Sequence, residues 1–328
     1  MSGGNGAAPA AAAGQQAHAA QQVGRLRRAR GLMVLNVLCN SSANMIERMA
    51  LSLAPPVAVT SVEVWTTAAI SLLLRLIQTR QARGTGATDG GRNSPVELWH
   101  FAASGLLGQV IGSYSFLTAA RAGGIGFTVA VAQTWSLWAI ILGIVALRER
   151  GSRRLAIGLP AAVVGIVLIS TQHQSLLDLS VSVSSYVSSG LPWAILASLC
   201  WAGSSVLIRR GLSRGANSRI GFVIQYLTAS MFLAIRAFAD PVPLTALSLA
   251  RVALIASAGI LAGVLAMGFM YRALAICPIS RVILINASYP AIVNILSWAI
   301  LGESITVRGI VGILLVTSSC VWTQADNN

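Results

Sequence analysis

The sequence predicts an all-α, polytopic membrane protein of ten transmembrane helices in two inverted five-helix repeats. Three observations carry that prediction. The 328 residues are 55% hydrophobic and 10% charged, with a mean hydropathy of +0.73, whereas a soluble domain carries about 25% charged residues. The apolar residues fall in runs that match the roughly 17–25 residues needed to cross a bilayer. The two halves of the chain also align with each other.

Taken in order, residues 1–30 are rich in Ala, Gly and Gln and lack an apolar run, which reads as a disordered cytoplasmic tail. The tail ends in Arg25, Arg27, Arg28 and Arg30. The apolar run after it continues to Pro55-Pro56, so it reads as a retained first helix and not as a cleaved signal peptide. Spans are expected near 31–54, 57–77, 98–120, 123–147 and 155–172, then near 190–210, 219–238, 250–272, 278–301 and 306–323. Residues 31–172 thus form the first repeat and 190–324 the second. The Ser/Val-rich stretch 173–189 links them.

All 23 basic residues are arginines, and the chain has no lysine. That excludes a P-loop lysine and a lysine Schiff base. With the N-terminus inside, eighteen arginines flank inner connections, four flank outer ones, and Arg48 lies within a span. The bias places both termini in the cytoplasm. It also explains the net charge of +14 without a nucleic-acid partner. Cys39, Cys200, Cys277 and Cys320 sit inside apolar segments without CxxC spacing, and the three histidines are scattered. No metal site and no cofactor are expected.

Residues 105–149 align without a gap on 259–303, at an offset of 154. Gly105 meets Gly259, Val110 meets Val264, and Glu149 meets Glu303. At a slightly different offset Arg48 meets Arg209. Five spans per half is an odd number, so the second half enters from the opposite face. Inverted repeats mark secondary transporters, with the substrate site near the midplane between the repeats.

The Leu-x-Glu-x-x-Ser/Thr turns at Leu147–Ser152 and Leu301–Thr306, with the helices around them at 133–168 and 271–314, resemble EamA repeats. Over residues 31–323 the chain is similar to the ten-helix branch of the drug/metabolite transporter superfamily. The resemblance implies a first EamA-like repeat over 31–172 and a second over 190–324. It also implies carriage of small polar or amphipathic metabolites.

Polar groups inside spans are costly and turn toward a bundle interior or a cavity. Asn36, Asn40, Asn44 and the pair Glu47-Arg48 share one face of the first helix. Arg48 and Glu63 lie seven residues either side of Pro55-Pro56, at equal depth in a tight hairpin, so an ion pair is expected. The pair reads as a fixed brace, or as Arg48 binding a substrate anion and Glu63 exchanging protons. Gln109, Tyr114, Gln133, Trp135, Trp201, Tyr271, Asn286, Tyr289 and Asn294 complete the substrate-binding candidates. Trp135 and Tyr289 occupy equivalent positions and could sandwich a planar or cationic substrate. Glu149 and Glu303 read as anchors of helix turns, with Glu303 capping the helix after it.

The expected function is secondary, non-ATP transport of a small polar or amphipathic metabolite by alternating access, with no catalytic residues. The alternative is a non-transporting membrane receptor or assembly protein on the same fold. The expected partners are a small-molecule substrate and the lipid bilayer, with a homodimer left open. The plasma membrane is favoured over an organelle.

Overall fold

The computed structural model describes residues 7–85, 95–147, 154–170, 190–239, 247–276 and 289–324, and it has no strand among them. The first half comprises α1 (Ala7–Leu51), α2 (Pro56–Thr85) and α3 (Pro95–Ser104), then a π-helical segment π1 (Gly105–Gly112) and α4 (Ser113–Gly123). It continues with α5 (Ile125–Ala132), α6 (Trp135–Leu147) and α7 (Leu155–Ser170). The second half has α8 (Leu191–Ser213), α9 (Ser218–Ala239), α10 (Leu249–Ala258), π2 (Gly259–Ala266) and α11 (Met267–Ile276). It closes with α12 (Tyr289–Leu296), π3 (Ser297–Leu301) and α13 (Val307–Gln324).

Local chemistry sets several of these boundaries. Pro56 opens α2, where its missing N–H has no partner to lose. Gly124 (φ 85°) turns the chain sharply between α4 and α5, a conformation that only glycine adopts without strain. The tail expected to be disordered is helical from Ala7 onward. Alanine is the strongest helix former, and Pro9 sits in the first turn, where helices tolerate it. The linker 173–189 lies outside the described residues.

Five helical stretches are each long and apolar enough to cross a membrane: Pro56–Arg80, Ile125–Ala146, Leu191–Ser213, Ser218–Ala239 and Leu249–Ile276. Tyr289–Leu301 and Val307–Ser319 are shorter apolar helices. The expectation of an all-helical, polytopic membrane protein is met in that coarser form. In α1 and in residues 95–123 the helices are long enough, but Asn, Gln and Ser interrupt their apolar character.

The halves interlock by exchange. α1 packs on α10, π2 and α11 of the second half, and α8 packs on α3, π1 and α4 of the first. α2 pairs with α9, and α7 with α13. α1 runs antiparallel to its partner: Met33 clusters with Ala273, Asn36 bonds Ala266, and Leu51 and Ala54 cluster with Ile255. α8 does the same against residues 95–123. Gly211 lies on Phe101, Ser204 on Ser104, and Gly190 on Ala119. The two long π segments fall at the same place in each half, separated by the offset of 154 that aligns the sequences. In a π segment the bonds span five residues, a geometry frequent at functional sites.

Glycine permits the close approaches at both segments. A Cβ on Gly105 would collide with the backbone of Gln225 in α9, and one on Gly259 would lie 2.8 Å from the Glu63 carbonyl in α2. By this packing Glu63 and Gln225 are equivalent positions.

Candidate functional site

Between the halves lies a cavity of about 150 Å³. α1 supplies Asn36, Asn40, Asn44 and Glu47 to its wall, and α2 supplies Glu63 and Thr67. Gln109 of π1, Ser113 and Phe116 of α4, and Trp135 of α6 face them. α8 adds Trp201, Ser204 and Ser205, α9 adds Tyr226, and α12 adds Tyr289. Gly259 and Gly263 of π2 with Met267 and Met270 of α11 complete the wall. Both repeats therefore build one chamber.

Much of the wall's hydrogen-bonding capacity is spent on holding the helices together. The Asn36 amide donates to the Ala266 carbonyl at 2.8 Å. Trp201 Nε1 donates to the Gly108 carbonyl at 3.2 Å. Each bond ties the first helix of one repeat to the π segment of the other. The Ser204 hydroxyl donates to Ser104 O at 3.1 Å, and the Asn44 amide donates to the Tyr289 hydroxyl. Thr67 Oγ1 lies 2.8 Å from Glu63 O and 3.0 Å from Gly259 O, so one hydroxyl spans the α2–π2 contact.

The charge of the chamber is one-sided. Glu47 and Glu63 both line it and are close enough to interact electrostatically. No Arg or His is among the described lining residues, and the chain has no Lys.

The expected Arg48–Glu63 pair does not form. Successive residues of a helix point about 100° apart at 3.6 residues per turn. Glu47 sits on the cavity face with Asn36, Asn40 and Asn44, so Arg48 faces the neighbouring side. There Arg48 Nε donates to Glu303 Oε1 at 3.2 Å. The same carboxylate accepts the backbone N–H groups of Ile125 and Gly126, both at 3.2 Å. Glu303 therefore caps α5 of the opposite repeat and not the helix that follows it, which corrects the sequence-based expectation. Glu149 lies outside the described residues.

Of the predicted substrate-binding residues, Asn36, Asn40, Asn44, Glu63, Gln109, Trp135, Trp201 and Tyr289 meet in the chamber. Tyr114 is exposed on the outer surface with its ring edge-on to Trp193. The Tyr271 hydroxyl donates to Gln225 Oε1 at 2.6 Å, in the packing behind the wall. Gln133 is buried at the turn between α5 and α6. Asn294 donates to the Pro290 and Gly126 carbonyls at 2.8 and 3.3 Å, holding α12 to α5. Asn286 lies outside the described residues.

Glu63 of α2 was expected in the wall, but Thr67, one turn further on, was not. The signal was present in α2: Thr67 follows Glu63 by four residues and shares its face. Glu47, placed by its spacing on the polar stripe of α1, is a lining residue as that stripe implies.

The model of the EamA-like transporter family matches residues 28–171 and 188–324. No curated protein matches. Among solved structures, one crystal structure superposes with a TM-score of 0.61 at 14% identity, over 90% of this chain and 95% of the other. That likeness is one of fold.

Proposed function

The chain belongs to the EamA-like transporter family, and from that premise we propose that it is a secondary transporter moving a small polar or amphipathic molecule by alternating access. The observation that carries the reading is the chamber itself, walled by both repeats and crossed by bonds from each first helix to the other repeat's π segment. A site at a repeat interface is where alternating access acts, because rocking one repeat against the other opens it to either face.

The packing directions support ten spans in two inverted repeats. α1 is antiparallel to residues 249–276, and α8 is antiparallel to residues 95–123. If the first and third spans of each repeat run the same way, the third spans of the two repeats run opposite ways. The arginine distribution supports cytoplasmic termini. With no lysine in the chain, the energy source is a solute or ion gradient and not a P-loop ATPase site.

The test is counterflow in proteoliposomes, using labelled amino acids, nucleotide sugars, sugar phosphates and organic cations. Saturable uptake of one class, accelerated by the unlabelled solute inside, is expected. Uptake that never saturates and shows no acceleration makes the chain a channel. No flux with any class favours the receptor or assembly reading.

A further inference from the structure

We propose that the chamber selects small organic cations, with the Glu47 and Glu63 carboxylates as its charge-selective pair. This deepens the transport reading and rests on it for the movement of the cargo, though not for its binding.

Glu47 is only 6% exposed, lines the chamber, and forms no hydrogen bond or ion pair among the described residues. Glu63 Oε1 is buried and has no hydrogen-bond partner among the described residues. The two acids come from different helices and meet across the same space. The arginine beside Glu47 is turned away and held by Glu303. Carboxylates inside a membrane protein are costly without a positive companion, and the described wall supplies none. The guest is then the element that completes the site. An anion there would meet two carboxyl groups and no cation among the described lining residues, in a medium that screens charge poorly.

The rest of the wall suits the same guest. Trp135, Trp201, Tyr226 and Tyr289 bring four aromatic rings to the chamber. Aromatic faces attract cations, and quaternary ammonium groups are recognised in this way. The chamber's roughly 150 Å³ is the scale of a cavity that accepts benzene. That limits the cargo to about one ring or one trimethylammonium group in the conformation seen here.

The experiment uses the full chain in detergent and two series matched in shape. One is choline, 3,3-dimethylbutan-1-ol and 3,3-dimethylbutanoate. The other is benzylammonium, benzyl alcohol and benzoate. Within each series mainly the charge changes, and affinity is read by calorimetry. The cation is expected to bind about tenfold or more tightly than its neutral partner, and the anion least of all. Glu63→Gln and Glu47→Gln should each bring the cation-to-neutral ratio close to one. Glu97→Gln, a charge removed outside the chamber, should leave it unchanged. Thermal unfolding of each variant confirms a folded protein, and either cavity variant suffices if the other does not fold. Equal binding within both series, preference for the anion, or no binding of either cation overturns the proposal. Choline counterflow separates the two readings. Cation-selective binding without flux sinks transport and keeps the selectivity, whereas flux of neutral or anionic solutes without cation preference does the reverse.

Discussion

In the first repeat, α1 and α2 present three asparagines and two carboxylates to the chamber. In the second, α8 and α9 present Trp201, Ser204, Ser205 and Tyr226. The backbones of the two repeats are nonetheless used alike. α1 packs antiparallel on residues 249–276 and α8 on residues 95–123, and each of these stretches carries an eight-residue π segment at the equivalent place. Gly259 presses on Glu63 as Gly105 presses on Gln225. Gln225 is fully buried and engaged by Tyr271, whereas Glu63 faces the chamber. The mechanical frame is thus shared between the repeats, while the ionisable chemistry belongs to one of them.

The frame is best broken at its shared contacts, where the largest effects are expected. Gly105→Ala and Gly259→Ala each force a methyl group into the backbone of a facing helix. Overpacking of this kind costs about 1–3 kcal/mol, and both variants should unfold at lower temperature in detergent. The loss should be larger at Gly105, where the approach is closer. Gly268→Ala, with no atom near its added carbon, should gain about 0.5–1 kcal/mol from helix propensity. A cost confined to one of the two contact glycines would show that the frame is not shared after all.

The next effect concerns Glu303, which joins the repeats in one direction. Its charge at the α5 N-terminus contributes about 0.3–1 kcal/mol. Its partly exposed pair with Arg48 adds about 0.2–1 kcal/mol. Glu303→Gln should therefore cost more than Arg48→Gln, which loses only the pair. A double-mutant cycle between them, read by chemical denaturation, should show a coupling below about 1 kcal/mol. Equal losses from the two single variants would mean that the ion pair, and not the cap, is what Glu303 provides.

This site also marks where sequence reading stopped. The stripe Asn36, Asn40, Asn44 and Glu47 was legible because spacing by three and four fixes a helix face without knowledge of any neighbour. The Arg48–Glu63 pairing failed because the hairpin argument gives depth along the helices and not the direction around them. The true partner, Glu303, lies 255 residues away, and nothing local to either residue announces it. The π segments were equally hidden. Their glycines read as ordinary small-residue packing, and the extra residue per turn leaves no mark in composition. Tyr114 and Tyr271 were chosen by residue type within the right spans, but burial and rotation about the helix decided against them.

The smallest effect sharpens the comparison to a single pair of side chains. Asn44 donates to the Tyr289 hydroxyl across the repeat boundary. The equivalent positions, by the offsets that align the halves, are Ser205 and Trp135. Both residues line the chamber, and no hydrogen bond joins them among the described residues. Interhelical hydrogen bonds in membrane proteins average about 0.6 kcal/mol, because the separated helices find other partners. A double-mutant cycle of Asn44→Ala and Tyr289→Phe should return a coupling near about 0.6 kcal/mol. The cycle of Ser205→Ala and Trp135→Phe should return almost none. Equal couplings would place the same polar link in both halves and remove the asymmetry at this level. Unequal ones would show that the first repeat alone joins its stripe of polar residues to the other repeat's aromatic wall.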